Sequence, residues 1–203
     1  MFSAPNAGEV AVGPDNNLWV AEFNGTKSAD VYSTAGALLH SYPTGSANQL
    51  ESITAGSDGN LWMDTFSGGN VVKMTTTGTP TTYNFVASIT NTMRQITKGP
   101  DGNLWACCEG DNKIARITPS GALTLFTVPT AGAGPYGIAA GPDGNLWFTE
   151  INAGKIGRIT TTGLIREFTI PTANSGPFFI AAGPDGNMWF SESNGNKIGK
   201  IHP

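Results

Sequence analysis

Four glutamates of this 203-residue chain recur at two positions relative to its tryptophans. Glu22, Glu150 and Glu192 each stand three residues after a tryptophan, closing Leu-Trp-Val-Ala-Glu, Leu-Trp-Phe-Thr-Glu and Met-Trp-Phe-Ser-Glu. Glu51 stands eleven residues ahead of Trp62, and Arg94, Tyr136 and Phe178 stand equally far ahead of Trp105, Trp147 and Trp189. Gathered by a fold, the carboxylates of Glu22, Glu51, Glu150 and Glu192 would offer oxygen ligands to a hard cation, Mg2+ or Ca2+. Glu150 and Glu192 are also the candidate catalytic bases, a role that requires burial to raise the pKa toward neutrality. Arg94 and Tyr136 would hold an anionic or sugar-like ligand through guanidinium hydrogen bonds and ring stacking. Phe178 adds a second ring, and Asn152 and Asn194 add amides two residues beyond the glutamates. The plainer alternative is that each glutamate satisfies loop amides or pairs with a nearby Lys or Arg, as surface carboxylates commonly do.

Other recurring polar residues read as structural. Asp15, Asp58, Asp101, Asp143 and Asp185 fall in Gly-flanked turns, where Asp bonds its own backbone. Lys73, Arg116, Arg158 and Lys200 recur at one strand position and read as a solvated outer ladder. His40 aligns with Tyr83, Phe126 and Phe168 and reads as a packing substitute, and His202 has no visible catalytic partners. Cys107 and Cys108 are adjacent, so on a strand they point to opposite faces and form no ordinary bridge. Cys108 shares the position of the glutamates and reads as a buried thiol.

These residues are placed by a repeat. GPDNNLW, GSDGNLW, GPDGNLW twice and GPDGNMW end at Trp19, Trp62, Trp105, Trp147 and Trp189, spaced 43, 43, 42 and 42 residues apart. Each repeat reads as four short strands A to D. In one of them strand A is Gly137–Ala140, strand B is Leu146–Glu150, strand C is Lys155–Ile159 and strand D is Ile165–Ile170. A Pro-Asp-Gly-Asn turn joins A to B. Four antiparallel strands per 42-to-43-residue repeat predict an all-β chain of β-propeller blades, stacked through their tryptophans. The expected blades span about 9–50, 51–93, 94–135, 136–177 and 178–203 of a single domain. The last repeat lacks its strand D, so an unpaired strand C edge at Lys197–Ile201 is expected to be capped within the ring or to pair with another chain. In propellers the D–A and B–C loops surround the channel on one face, which is where the two variable positions fall.

Composition narrows the partners. Only 13% of residues are charged, against about 25% in an average soluble protein, while 39% are hydrophobic, enough for a core at this length. A net charge of −4 with scattered basic residues argues against nucleic acid. No apolar run approaches the roughly 18 residues of a membrane span. Met1–Pro5 shows neither the charged nor the apolar region of a signal peptide, and an extracellular or periplasmic location, its leader removed, is expected.

The consensus GPDGNLWFTE…GKIGRIT…EFTIPT…SGP resembles the virginiamycin B (streptogramin) lyase family of propellers and, more distantly, NHL-repeat propellers. The resemblance implies a seven-bladed fold and a Mg2+-assisted elimination that opens the ester of a streptogramin B-type cyclic depsipeptide. It places that chemistry on a His in the loop entering strand A and on Glu-x-His at the end of strand B. Here the first position holds Tyr136 and Phe178, and the second reads Glu150-Ile151-Asn152 and Glu192-Ser193-Asn194. The glutamates are kept, and neither the aromatic nor the amide side chains can act as a base near neutral pH. The chain is therefore read as a ligand-binding or interaction scaffold rather than an enzyme, its ligand a small molecule, a glycan or a peptide. The alternative is the metal-assisted carbon–oxygen lyase.

Overall fold

Alternation along each strand B sets the packing: tryptophan points to one side, and the Leu and Phe on either side of it point to the other. The computed structural model describes residues 7–23 and 27–203, so the Met1–Pro5 segment lies outside the described residues. The chain divides into two compact units, one ending at Ile96 and the other beginning at Thr97.

The first unit holds two antiparallel blades. One has the order β1 (Ala7–Val12), β2 (Leu18–Glu22), β3 (Ser28–Tyr32), β4 (Leu38–Pro43), and the next β5 (Leu50–Ala55), β6 (Leu61–Thr65), β7 (Asn70–Met74), β8 (Pro80–Asn84). The boundary between units falls inside β9 (Met93–Lys98), the strand A of the third sheet, which continues with β10 (Leu104–Cys108), β11 (Lys113–Ile117) and β12 (Leu123–Thr127). The fourth blade is β13 (Pro135–Ala140), β14 (Leu146–Glu150), β15 (Lys155–Ile159) and β16 (Ile165–Thr169). The fifth has three strands, β17 (Pro177–Ala182), β18 (Met188–Glu192) and β19 (Lys197–Ile201). Among the described residues the only helical segment is one 3-10 turn, Glu109–Asp111, and no helix is long and apolar enough to cross a membrane. The protein is an all-β chain of propeller blades.

Within each unit, neighbouring blades meet through the same contact. In the first, Trp19, Ala21 and Val31 pack on Leu50, Ile53 and Met63. In the second, Trp105 and Ile114 pack on Ile138, Leu146 and Phe148, and Trp147 and Ile156 pack on Ile180, Met188 and Phe190. Burying a ring of this size removes roughly 200 Å2 from water, on the order of 5 kcal/mol at about 25 cal/mol/Å2.

The repeated turn exists to hold that tryptophan. In all five repeats the turn Asp accepts the indole N–H four residues on, from Asp15–Trp19 at 3.0 Å to Asp185–Trp189 at 2.9 Å. The same carboxylate oxygen accepts the backbone N–H two residues on, as Asn145 N–H to Asp143 at 3.2 Å. The glycine that opens the motif leaves room for the ring, since a Cβ on Gly141 would sit 2.5 Å from Trp147 Cδ1.

Three details differ from the expectations. The basic ladder does not stand free in solvent. Lys73, Arg116, Arg158 and Lys200 lie over the faces of their cross-strand tryptophans at 5.3–5.9 Å, and Lys73, Arg158 and Lys200 pair with the turn Asp. His40 is not the packing substitute. A register shift in the β3–β4 pairing brings Tyr42 to the place where Tyr83, Phe126 and Phe168 stack on their tryptophans, and exposed His40 stacks on the outside of Tyr42. Strand A begins earlier than Gly137, at Pro135, because Pro135 pairs with Glu150 across a bulge that ends at Ile138. Cys107 and Cys108 are buried and form no disulfide.

Candidate functional site

The bulge positions the site. Pro135 faces Glu150 and Ile138 faces Phe148, so three steps on β13 match two on β14. One extra residue re-aims the side chains between them, and Tyr136 is one of those. The same shift recurs between Pro177 and Ile180, around Phe178, and between Leu50 and Ile53, around Glu51. The strand A position that varies between repeats is thus the position that leaves the regular pleat.

In the second unit the two bulges bring Tyr136 and Phe178 together, with ring centroids 4.0 Å apart and planes tilted by 34°. Phe179 meets Phe178 edge-on at 4.8 Å and is 54% exposed. Buried Thr149 ties the two bulges: its Oγ1 accepts the Gly137 N–H at 2.9 Å and donates to the Phe178 carbonyl at 2.8 Å. Ser191, its counterpart in the next blade, accepts the Phe179 N–H at 3.1 Å.

Asn152 and Asn194 lie beside these bulges. Each side-chain amide rests where a Cβ on the glycine before the strand would sit, 2.6 Å from it at both Gly134 and Gly176. Both glycines have positive φ, +66° and +55°, so that backbone favours glycine twice over. A pocket of about 260 Å3 opens between these loops, lined by Ile151, Asn152, Gly154, Asn174, Gly176 and Asn194. Both asparagines are exposed, and Asn152 donates to the Gly132 carbonyl at 3.3 Å.

Glu150 lies beneath. It is fully buried, and neither carboxylate oxygen has a hydrogen-bond donor among the described residues. The strand pairs it with Lys155, but the Lys155 ammonium turns to Thr130 Oγ1 at 2.7 Å and to Glu167 at 3.2 Å. Burial, joined by the nearby Glu167 charge, pushes Glu150 up to about 8. Protonated, it can donate toward Glu167. Glu167 also accepts the Thr130 N–H and hydroxyl, both at 2.9 Å, and these bonds with Lys155 hold it below the usual carboxylate range against its own burial. Glu192, the equivalent in the last blade, is 5% exposed, while the Lys197 paired with it in register reaches Thr172.

The first unit holds the other candidates. Glu22 is 7% exposed and accepts the Ser28 hydroxyl at 2.8 Å. Arg94 pairs with Glu51 at 3.6 Å and covers Phe66 at 4.9 Å. Nearby, Asp64 is fully buried and accepts both the N–H and the hydroxyl of Ser52, at 2.8 and 2.7 Å, while that hydroxyl accepts the Ile96 N–H at 2.8 Å. Burial raises Asp64 to about 7, with Glu51 and Glu9 adding to the rise. Glu9 accepts the Ile53 N–H and the Gln95 amide, both at 3.2 Å, and its burial raises it too. Asp64, Glu9, Glu167 and Thr149 were not singled out from the sequence. A signal for Asp64 existed: it takes the place of Thr149 and Ser191 in the repeat, a carboxylate where others have a hydroxyl.

Glu22 accepts the Ser28 hydroxyl and Glu51 pairs with Arg94, while burial raises Glu150. Among the described residues no group of three or more His, Cys, Asp and Glu side chains is gathered for a metal. The second unit carries a ring pair at Tyr136 and Phe178 and, separately, an open pocket bordered by the amides of Asn152 and Asn194.

The sequence model of the virginiamycin B lyase family matches residues 38–203. Among solved structures, a streptogramin B lyase is 35% identical, with a TM-score of 0.84 over 96% of this chain and 67% of its own. A catalytically inactive His-to-Ala variant of virginiamycin B lyase from Staphylococcus aureus, solved with quinupristin, is 34% identical, with a TM-score of 0.92 over 98% of this chain and 69% of its own. This chain thus spans about two thirds of the length of those lyases. A protein of unknown function from Bacteroides caccae, 15% identical with a TM-score of 0.69 over 97% of this chain and 77% of its own, shares the fold alone. No curated protein sequence matches.

Proposed function

The chain belongs to the virginiamycin B lyase family, and from that premise we propose that it binds a ligand on the loops of its second unit without opening it. One observation carries this. Tyr136 and Phe178, whose tilted rings lie 4.0 Å apart, and the pocket-lining Asn152 and Asn194 occupy the positions where the family resemblance implies histidines. Both histidines of the chain are elsewhere: His40 stacks on Tyr42 at the outer strand, and His202 Nδ1 lies 3.1 Å from Asn187 Oδ1 near a turn. The S. aureus protein solved with quinupristin is itself a His-to-Ala variant called catalytically inactive, which supports holding such a ligand without the imidazole. A cyclic peptide would lay an apolar face on the rings and present its amides to Asn152 and Asn194.

A second reading has one observation in its favour. A base for the elimination works best with a pKa near ambient pH, and Glu150 is pushed up to about 8. The burial that does so also keeps the carboxyl from solvent, at 0% exposure.

Titration with quinupristin, followed by the side-chain amide resonances of Asn152 and Asn194, tests the binding. Both amides are expected to shift, and Tyr136→Ala to weaken binding about tenfold, the value of one ring contact of roughly 1.4 kcal/mol. Amide signals that stay put at saturating ligand, or a Tyr136→Ala variant that binds as tightly as the parent, would contradict the assignment.

A further inference from the structure

Ala21, Asp64, Cys107, Thr149 and Ser191 share one place in the repeat, two residues after the tryptophan. Thr149 lies between two ring-bearing strands: Tyr136 stands on β13 of its own blade and Phe178 on β17 of the next. The side chain is fully buried, and its hydroxyl spends both of its hydrogen-bonding roles on the backbone of those strands. It accepts the Gly137 N–H at 2.9 Å and donates to the Phe178 carbonyl at 2.8 Å. The first group belongs to the peptide that joins Tyr136 to Gly137, the second to the peptide that joins Phe178 to Phe179. That second peptide is held on its other edge as well, because the Phe179 N–H donates to Ser191 Oγ at 3.1 Å. A peptide group is a rigid plane, so bonds on opposite edges fix its tilt and with it the directions in which Phe178 and Phe179 leave the chain. The ladder gives less control here. Pro177 pairs with Glu192 and Ile180 with Phe190, and the register shifts across the two phenylalanines between them.

We propose that Thr149 is the positioning residue of the aromatic site. Its hydroxyl ties the strand of Tyr136 to the strand of Phe178, holds their rings at the 4.0 Å separation, and through the rings sets the affinity for the ligand. The effect on affinity rests on the ligand binding proposed above, whereas the effect on the rings does not.

Thr149→Val keeps the shape of the side chain and removes the hydroxyl, and Thr149→Ser keeps the hydroxyl. Ring-current shifts of the Tyr136 ring protons, recorded without ligand and assigned with Tyr136→Phe, read the ring pair. Calorimetric titration with quinupristin reads the affinity. In Thr149→Val the Tyr136 signals are expected to move toward those of Phe178→Leu, in which the ring contact is gone, and binding is expected to weaken about tenfold. Thr149→Ser is expected to restore both. Ile159→Val truncates the core where β15 pairs with Leu146, at the far end from Thr149, and is expected to lower stability while leaving both readings at the parent's values. If Thr149→Val does not fold, Thr149→Ala takes its place, since Ala21 already stands at this position in the first blade. Tyr136 signals that stay put in a folded variant without the hydroxyl overturn the proposal, whether or not quinupristin binds. So does a shift that Thr149→Ser or Ile159→Val shares, or, where the parent binds, displaced rings with an unchanged affinity. A parent chain that binds no quinupristin contradicts the ligand binding, and rings displaced in Thr149→Val and restored in Thr149→Ser then still uphold the positioning role.

Discussion

Replacing Trp147 by alanine is expected to destabilise the second unit by about 4 kcal/mol, the cost of deleting a large core ring. The indole is 1% exposed, packs between Ile156 and the fifth blade, donates to Asp143 at 3.0 Å and lies under Arg158. Truncation would leave a cavity between two sheets and strand the turn carboxylate beside it. Trp189→Ala is expected to cost about 2 kcal/mol or less, because the same residue in the last blade is 38% exposed while keeping the Asp185 bond and Lys200 contact. Urea denaturation at low protein concentration measures both. Equal losses would mean that the blade contact around Trp147 is not what holds the unit together.

Stability is also expected to fall as pH rises from about 5 to about 8, the reverse of the usual carboxylate behaviour. Glu150 is raised to about 8 and Asp64 to about 7, in both cases chiefly by burial. Between the ordinary carboxyl value and the raised one, the folded state holds a proton that the unfolded state has released. Their contribution is therefore whole below the ordinary value and is lost as pH rises through the folded pKa. Asp15, Asp58, Asp143 and Glu167 are lowered by the hydrogen bonds and ion pairs they accept, so their contribution is present above the ordinary value and lost as pH falls through the depressed one. The two sets together predict a maximum near pH 4 to 5, on the order of the unperturbed carboxyl range. Glu150→Gln keeps the shape of the buried acid and removes its titration. It is expected to match the parent below about pH 4 and to exceed it by a margin that grows as pH rises to about 8. Chemical denaturation across this range checks it, and parallel curves for the two proteins would show that Glu150 is ionised in the folded state.

The blades were legible because their signal is repeated five times and depends only on local chemistry. Pro-Asp-Gly-Asn closes a turn, and alternation around Trp sets both faces of strand B. The partner of the turn Asp was less legible, since the indole it accepts lies four residues on and meets it only once the hairpin closes. The bulge at Tyr136 was not legible at all. It shows in no residue type and appears only as an offset between Pro135–Glu150 and Ile138–Phe148 pairing. His40 was misplaced for a related reason, a register shift that moved Tyr42 into the stacking position. For the candidate site, the two variable positions pointed to the rings and amides of the second unit. What they could not convey was the direction of each carboxylate, because burial and neighbours set it. Glu51 went to Arg94 and Glu22 to Ser28, while Glu150 was sealed off.

This member of the family is proposed to hold its ligand without the elimination. The most direct test is incubation with a streptogramin B antibiotic and Mg2+, with cyclic and linear forms separated by chromatography before mass spectrometry, since the elimination product is isomeric with the substrate. The antibiotic is expected to be recovered cyclic after prolonged incubation. Accumulation of the linear isomer by the parent chain, abolished in Glu150→Gln or Glu192→Gln, would overturn the binding-only reading and make the buried glutamates the base of a working lyase.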